Sequence, residues 1–171
     1  MMGYEDHIQQ AQSVTGKFAV LTLSDTRTPE TDTSGQTIRR LLTEAGHTVS
    51  YYKVLPDYPS EQLAATLENC LTNNDVHSII TNGGTGIYKR DLTIPEIEKI
   101  LDIPLLGFGE LFRMLSFQQI GAGAILSRAT GGIARRKPVF ALPGSTQAVE
   151  LGMTQIILPQ IKHMLMELRK K

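Results

Sequence analysis

The sequence predicts an α/β domain, a three-layer sandwich in which helices cover both faces of a mostly parallel sheet. The first observation is that short apolar runs alternate with segments whose apolar residues recur at helical spacing. The second is that the chain has 171 residues, of which 41% are hydrophobic, enough for one well-packed core. We expect a polar N-terminal extension over residues 1–16 and a single domain over residues 17–171.

The first third of the domain predicts a strand, a helix and a second strand. Residues 18–23 form an apolar run typical of a buried strand. Thr33 and Gln36 resemble a capping box at the start of a helix, which Gly46 ends as a C′ glycine. Residues 48–55 are rich in Val and Tyr and predict the second strand.

The rest of the chain continues the alternation. Ser60 is placed to cap the next helix, and residues 76–81 predict a third strand. The glycine-rich segment 121–137 predicts irregular strand or a hairpin, and residues 138–142 predict a further strand. Pro159 stands at the start of the last helix.

Composition excludes several classes of protein. The 17 basic and 17 acidic residues balance, whereas a nucleic-acid-binding protein has a basic excess, so no nucleic-acid partner is expected. No apolar run approaches the roughly 20 residues of a membrane span, and the N-terminus lacks the apolar region of a signal peptide. A single cysteine, Cys70, cannot form an internal disulfide. We therefore expect a cytoplasmic protein.

Four loops that follow strands are candidates for a ligand site: 24–35, 56–60, 82–91 and 143–146. Open parallel sheets bind ligands beyond the carboxyl ends of their strands. The familiar nucleotide and hydrolase motifs are missing, because no G-x-G-x-x-G, P-loop or G-x-S-x-G pattern occurs. The four histidines have no metal-binding spacing.

The segment Gly83-Gly84-Thr85-Gly86 is the clearest motif. Glycines at a strand end let backbone N–H groups approach an anion, although a tight turn needs the same residues. Lys89 and Arg90 follow and suit phosphate, while Asp91 suits a divalent metal. The alternatives are a surface ion pair between Asp91 and these cations, or Asp91 as a helix cap.

The other strand-end loops offer weaker candidates. Asp57 is either a turn aspartate or a second magnesium ligand. Hydroxyl groups and carboxylates are offered to a ligand by Ser24-Asp25 and by Asp32-Thr33-Ser34-Gly35. A role as a helix cap explains the presence of Asp32 or Thr33 equally well. Pro143-Gly144-Ser145 forms a turn before a helix N-terminus, which suits an anion, with Ser145 as a simple N-cap the alternative.

Taken in order, these segments resemble the MogA/MoaB family of molybdopterin-binding proteins, and within it the MoaB branch. Each motif alone is modest, but together they run from about residue 17 to about residue 160. The matching segments are SD at 24–25, DTSG at 32–35, TNGGTG at 81–86, RDLT at 90–93, GFGELFRMLS at 107–116, ILSRA at 125–129 and FALPGST at 140–146.

The resemblance implies an activity: transfer of AMP from Mg-ATP to the terminal phosphate of molybdopterin, with release of pyrophosphate. It also implies a homotrimer, or a homohexamer in the MoaB branch. Our hypothesis is that Asp57 and Asp91 hold Mg²⁺ and are the catalytic pair. The remaining expected ligand-binding residues are Ser24, Asp25, Asp32, Ser34, Gly35, Gly83, Gly84, Thr85, Gly86, Arg90, Thr93, Glu110, Arg113, Ser127, Arg128, Pro143, Gly144 and Ser145.

Within that set the expected roles differ. Backbone N–H groups of residues 83–86 cradle phosphate, and Ser145, Ser127 and Arg128 bind the pterin phosphate or ring. Glu110 and Arg113 order the wall of the site instead.

The sequence departs from the family pattern at Pro95. The proline follows Thr93 by two residues and predicts a helix that begins late, with Pro95 at its first position. Two alternatives to an enzyme stay open. A non-catalytic molybdopterin carrier would use the same pocket without metal, and a scaffold would act through a protein partner. The retention of Asp57 and Asp91 favours the enzyme, because acids beside a phosphate site weaken binding unless a cation screens them.

Overall fold

A computed structural model describes residues 10–170 of the chain. Within them, helices alternate with six strands around a single sheet. The strands are β1 (Lys17–Leu23), β2 (Thr48–Leu55), β3 (Ser78–Asn82), β4 (Ile103–Pro104), β5 (Thr130–Ala134) and β6 (Lys137–Leu142). The α-helices are α1 (Thr33–Glu44), α2 (Glu61–Thr72), α3 (Thr93–Ile100), α4 (Leu106–Ile120), α5 (Thr146–Gly152) and α6 (Leu158–Arg169).

The sheet has the strand order β2-β1-β3-β6-β5-β4. The first four strands in this order are parallel, and β5 and β4 complete the sheet as antiparallel strands. The chain passes from β1 to β2 on one side and then returns to β3 on the other side of β1. The order therefore reverses between β1 and β3, and a parallel sheet of this type binds its ligand at such a point.

Helices cover both faces of the sheet, which confirms the three-layer prediction. Along β1, Phe18 and Val20 point into one cluster with α1, α4, α5 and α6, whereas Ala19, Leu21 and Leu23 point into another with α2 and α3. Successive side chains of a strand face opposite sides, so one continuous apolar run supplies both halves of the core.

The predicted capping box at Thr33 is wrong. Asp32 is the N-cap of α1, because its carboxylate accepts the Gly35 N–H at 2.9 Å. The Gln36 side chain turns away to the carbonyls of Pro29 and Glu30. Gly46 follows α1 with a φ of +83°, as a C′ glycine should.

The predicted starts of two further helices need correction. Ser60 occupies the N-cap position of α2, as predicted, but its side chain makes no capping hydrogen bond. Helix α3 begins at Thr93 rather than at Pro95, so the proline occupies the third helical position. A proline fits there because the first N–H groups of a helix have no partner within the helix.

The glycine-rich segment 121–137 contains the predicted hairpin, preceded by a 3₁₀ helix (Gly121–Leu126). Arg135 and Arg136 form the two-residue turn between β5 and β6, with φ values of +46° and +63°. Two positive φ values are typical of the turn that joins tightly paired strands. Their side chains hold this strained turn: Arg135 pairs with Glu68 of α2, and Arg136 donates to the Leu168 carbonyl near the end of α6.

Residues 10–16, the described part of the predicted N-terminal extension, pack against the domain. Ala11 is buried, and Val14 contacts the cluster under α6. The Gly16 N–H donates to Nδ1 of the buried His47 at 3.1 Å. Residues 1–9 of the extension lie outside the described residues. Across residues 10–170, no helix combines the length and the apolar character needed to cross a membrane.

Candidate functional site

A cleft of about 250 Å³ opens at the carboxyl ends of the parallel strands, where the strand order reverses. The loops after β1, β2, β3 and β6 all contribute to it, as the topology predicts. Its lining consists of Thr22, Leu23, Ser24, Arg27, Asp32, Asp57, Asn82, Gly83, Gly84, Thr85, Gly86, Asp91 and Gly144.

The glycine turn after β3 forms the floor of the cleft. Gly83 and Gly84 have φ values of +88° and +60°, a region that favours glycine. A side chain at Gly83 would collide with the Leu23 carbonyl oxygen, so the turn can pass this close to β1 only without one. The Gly83 N–H donates to the Leu142 carbonyl at 3.1 Å, which ties the turn to β6.

Asp57 lies beside this turn at the end of β2. A Cβ atom built on Gly84 would be 3.2 Å from Asp57 Oδ1, and this oxygen is buried without a hydrogen-bond partner. Burial raises the pKa of the Asp57 carboxyl, and the nearby negative charges of Asp25 and Asp91 raise it further. The ionised carboxylate is therefore unfavourable here unless a cation joins it.

Asp91 lies beside Gly86, the last glycine of the same turn. Its Oδ2 accepts the Tyr88 N–H at 2.8 Å, so the carboxylate closes the turn over residues 88–91. A Cβ atom built on Gly86 would be 2.6 Å from Oδ2, which shows how closely Asp91 packs on the glycine turn. The structure thus places Asp57 and Asp91 in one cleft, although 34 positions separate them in the sequence.

Arg90 is paired with Asp25 rather than with Asp91. Its guanidinium is 2.7 Å from Asp25 Oδ2 and 5.7 Å from the centre of the Tyr58 ring. Asp25 Oδ1 also accepts the Asp57 N–H at 3.1 Å. The alternative of a surface pair between Arg90 and Asp91 is excluded, because Asp25 reaches the guanidinium from the loop after β1. Arg90 and Asp25 therefore border the cleft and hold the Asp57 loop.

Asp32 is the centre of a buried polar network that forms part of the cleft lining. Its Oδ2 accepts hydrogen bonds from Thr22 Oγ1 at 2.5 Å and from the Tyr52 hydroxyl at 2.7 Å. Asn82 Nδ2 donates to Thr22 Oγ1 at 2.9 Å, while Asn82 Oδ1 is buried without a partner. Burial and the Asp32 carboxylate raise the pKa of Tyr52, so its phenol stays a donor. The helix-cap interpretation of Asp32 is confirmed.

Hydroxyl groups join the N-termini of α1 and α5 at the cleft. Ser34 Oγ donates to the Gly144 carbonyl at 2.7 Å, and the hydroxyls of Thr33 and Thr146 are 3.1 Å apart. Ser145 Oγ accepts the Ala148 N–H, so Ser145 is the N-cap of α5. Two helix N-termini converge here, and both favour negative charge nearby.

The structure brings only part of the remaining predicted set to this cleft. Thr93 is buried beneath the glycine turn, where its N–H donates to the Gly84 carbonyl. Arg128 Nη1 donates to the Gly86 carbonyl at 2.8 Å from outside the lining. Glu110 and Arg113 are exposed on α4, and Ser127 ends the 3₁₀ helix; none of the three lines the cleft.

Four lining residues were absent from the sequence-based set: Thr22, Leu23, Arg27 and Asn82. Thr22 and Asn82 are paired in register at the ends of β1 and β3, so polar residues at the ends of apolar runs were the available signal. Arg27 lies in a loop that was a candidate, but only the fold shows that its side chain faces the cleft. Among residues 10–170 no three His, Cys, Asp or Glu side chains form a metal-binding group by themselves.

Comparison with known proteins identifies the family of this chain. The family profile described as "Probable molybdopterin binding domain" matches residues 19–163. The molybdenum cofactor biosynthesis protein B of Bacillus cereus is 46% identical over 171 residues, covering 99% of this chain and 100% of that protein.

Two solved structures share the fold. The crystal structure of a molybdenum cofactor biosynthesis protein B has a TM-score of 0.89 at 46% identity, covering 92% of this chain and 98% of that one. The tungsten cofactor synthesizing protein MoaB from Pyrococcus furiosus has a TM-score of 0.79 at 38% identity, covering 91% of this chain and 98% of that one. The chain therefore belongs to the molybdopterin-binding domain family and, within it, to the MoaB branch that its motifs resemble.

Proposed function

We propose that this chain acts in molybdenum cofactor biosynthesis as a molybdopterin adenylyltransferase. An oxygen of the terminal phosphate of molybdopterin attacks the α-phosphorus of ATP. The bond from the α-phosphorus to its bridging oxygen breaks, and the electron pair leaves with pyrophosphate. The observation that carries the proposal is the placement of Asp57 and Asp91 in one cleft, beside Gly84 and Gly86 of the same glycine turn.

The carboxylates of this cleft fit a magnesium ion. Asp57 has a buried oxygen without a hydrogen-bond partner and a raised pKa, which indicates that a cation would relieve its charge. Asp57 and Asp91 would hold the ion, with water and substrate phosphate completing its ligands, as is usual for Mg²⁺ in proteins. When bound, Mg²⁺ would offset the negative charge of the phosphate groups that must approach each other.

The chain's own groups supply binding and orientation. We assign phosphate binding to the backbone N–H groups of Gly84, Thr85 and Gly86, because the Gly83 N–H already donates to the Leu142 carbonyl. The N-termini of α1 and α5 add favourable dipoles at the same place. Phosphoryl transfer needs mainly positioning and charge stabilisation, and both of these come from a rigid, preformed cleft.

We also propose that the chain forms a homotrimer or homohexamer, as members of the family it resembles do. An apolar surface supports association. Large side chains of α4 and the following 3₁₀ helix are exposed in the single chain, and a surface of this kind is typical of a protein interface. They are Leu106, Leu111, Met114, Phe117, Ile120, Ile125 and Leu126.

The test is adenylyl transfer by the purified protein with molybdopterin and Mg-ATP, followed as pyrophosphate release. Asp57→Asn and Asp91→Asn preserve shape and remove one charge each. Asp91→Asn keeps an oxygen to accept the Tyr88 N–H, so its turn should persist. Each variant should lose about 10²-fold or more in rate, the scale found when charge stabilisation is removed. Asp75→Asn, at an exposed site paired with Lys17, is the matched control and should keep full activity.

The carrier alternative predicts a different pattern. A carrier would bind molybdopterin but release no pyrophosphate, and its affinity for the pterin would not depend on Mg²⁺. If the wild-type protein shows that pattern under conditions where it is folded, the adenylyltransferase proposal fails. Asp57 and Asp91 would then be turn residues only.

A further inference from the structure

Arg27 is the cationic side chain of the cleft lining, and its role is not explained by the fold. We propose that Arg27 anchors a phosphate group of the substrate by presenting two guanidinium nitrogens to it. The inference rests on the proposed function in one respect, namely that the cleft between β1 and β3 is the substrate site. It adds a positioning residue that neither the motifs nor the glycine turn indicate.

The charge of the cleft lining is the first argument. The lining contains three carboxylates, those of Asp32, Asp57 and Asp91, and within residues 10–170 the cation of that lining is Arg27. A lining with more carboxylates than cations repels a polyanion unless its cations lie where the anionic groups bind. Asp32 is already neutralised in part by three donors, from Thr22, Gly35 and Tyr52, whereas the other two carboxylates face the glycine turn.

The neighbouring cations are committed elsewhere, which is the second argument. Arg90 is paired with Asp25 at 2.7 Å, and Arg128 donates to the Gly86 carbonyl at 2.8 Å. Neither belongs to the cleft lining, and Lys89 does not line it either. The phosphate contact expected of Arg90 from the sequence therefore falls to Arg27, which reaches the cleft from the loop after β1.

The position of Arg27 is fixed by the start of α1, which is the third argument. Its Nη1 donates to the Thr31 carbonyl at 2.6 Å and to Thr33 Oγ1 at 3.3 Å. Its backbone N–H donates to Ser24 Oγ at 3.2 Å. For the part of the chain that the structure describes, Nε and Nη2 donate to no protein acceptor. One edge of the guanidinium is thus anchored while the rest stays available as donors.

These properties match an anion that presents a pair of oxygens, such as a phosphate group, better than a neutral ligand. A guanidinium offers parallel N–H donors that two phosphate oxygens accept together, and a guanidinium held beforehand loses little entropy on binding. The N-terminus of α1 and the glycine turn favour the same negative charge. Both substrates of the proposed reaction carry phosphate, so the shared chemistry is a phosphate oxygen pair, supplied by the nucleotide or by the pterin.

The experiment measures binding by titration calorimetry with three probes: inorganic tripolyphosphate, Mg-ATP and molybdopterin. Arg27→Met removes the charge and the donors, and Arg27→Lys keeps the charge but removes the paired N–H donors of the guanidinium. Arg40→Met is the matched control, since Arg40 lies on the outer face of α1 in an exposed pair with Glu44 at 2.9 Å. All variants should melt within a few degrees of the wild-type protein, because the partners of Arg27 are exposed.

We expect Arg27→Met to lower the affinity for at least one probe by about 10-fold or more, and Arg27→Lys to restore part of that affinity. The affinities of Arg40→Met should stay within about twofold of those of the wild type. If the substitution weakens binding of tripolyphosphate and Mg-ATP but leaves binding of molybdopterin unchanged, Arg27 contacts the nucleotide phosphates. The reverse pattern assigns it to the pterin phosphate. Unchanged binding of all three probes by Arg27→Met, or an equal loss in Arg40→Met, overturns the inference.

This test separates the inference from the proposed function. If the wild-type protein transfers no AMP but Arg27→Met still loses affinity for a phosphate probe, the adenylyltransferase proposal fails and the anchoring role stands. If the wild-type protein transfers AMP and Arg27→Met binds and turns over normally, the function stands and the anchoring role fails.

Discussion

Gly84 and Asp57 lie against each other so closely that a methyl group added to Gly84 would be 3.2 Å from Asp57 Oδ1. The same methyl group would be 2.5 Å from Thr93 Oγ1, and the φ of Gly84 is +60°. Gly84→Ala should therefore destabilise the fold by about 1–3 kcal/mol and move the Asp57 carboxylate. Denaturant unfolding measures the first effect, and the adenylyl-transfer assay measures the second.

Gly123→Ala is the control for that substitution. Gly123 does not have a positive φ, and the nearest atom to its added Cβ belongs to Ile120 at 3.6 Å. The variant should unfold within about 0.5 kcal/mol of the wild-type protein, as surface changes usually do. Equal stability of Gly84→Ala and Gly123→Ala would contradict the close packing of the glycine turn on Asp57 and Thr93.

Asp57→Asn should stabilise the ligand-free protein at neutral pH while it lowers activity. Burial and the charges of Asp25 and Asp91 raise the pKa of Asp57 above its ordinary value of 3.8. The folded protein thus binds this proton more tightly than the unfolded chain, so stability falls as pH rises through the window above 3.8. An amide at position 57 removes this cost. Functional sites often carry such a conflict between stability and activity.

Thermal melts at pH 7 and pH 3, with and without Mg²⁺, check this prediction. The advantage of Asp57→Asn should be present at pH 7 and shrink at pH 3, where the wild-type carboxyl is protonated. Added Mg²⁺ should raise the melting temperature of the wild-type protein but not of Asp57→Asn. Asp75→Asn should show the opposite sign at pH 7, because Lys17 lowers the pKa of Asp75. An Asp57→Asn protein that is less stable than the wild type at pH 7 would refute the argument.

His47 should make the fold sensitive to acid. Burial, followed by the charge of Lys162, lowers the pKa of His47 from 6.5 to about 4. Its Nδ1 accepts the Gly16 N–H, so protonation also breaks that hydrogen bond. Stability tied to neutral His47 is complete above pH 6.5 and is lost progressively as pH falls toward 4.

The measurement is denaturant unfolding of the wild-type protein and His47→Gln from pH 7 to pH 4. Glutamine can accept the Gly16 N–H but does not titrate. The difference in unfolding free energy should therefore shift in favour of the variant as the pH falls. A difference that stays constant across this range would show that His47 does not titrate with a depressed pKa.

The exposed apolar surface of α4 should be the site of self-association. Phe117 is 62% exposed in the single chain, and Phe117→Glu places a charge in that surface. Sedimentation should show a trimer or hexamer for the wild-type protein and smaller species for Phe117→Glu. Gln62→Glu, an exposed change of the same charge on α2, should leave the assembly intact. A monomeric wild-type protein at micromolar concentration would rule out this role for α4.

The parallel strands and the position of the cleft follow from local patterns in the sequence. Apolar runs such as residues 18–23 are typical of buried strands, and parallel strands bring their carboxyl ends to one edge. The motif residues at those ends were therefore expected to meet, and Asp57, Gly83 and Asp91 do line one cleft. The family resemblance confined the same residues to a known type of site.

The misassigned contacts depend on partners that are distant in sequence. Asp32 prevails over Thr33 as the cap of α1 because Thr22 and Tyr52, from two different strands, satisfy its carboxylate. Arg90 turns to Asp25, which lies 65 positions earlier in the chain. Local pattern reports which residues are polar and where elements end, but the choice among several polar partners is made by tertiary geometry.

The β5–β6 turn has a consequence for how the two helical layers move. Lys137 Nζ donates to the Cys70 and Asn73 carbonyls at the end of α2, and Arg136 donates to the Leu168 and Lys170 carbonyls at the end of α6. These helices belong to opposite faces of the sheet, so the turn connects all three layers by hydrogen bonds. We expect fraying of one helix end to loosen the anchorage of the other, so that the end of the domain around this turn opens as one cooperative unit.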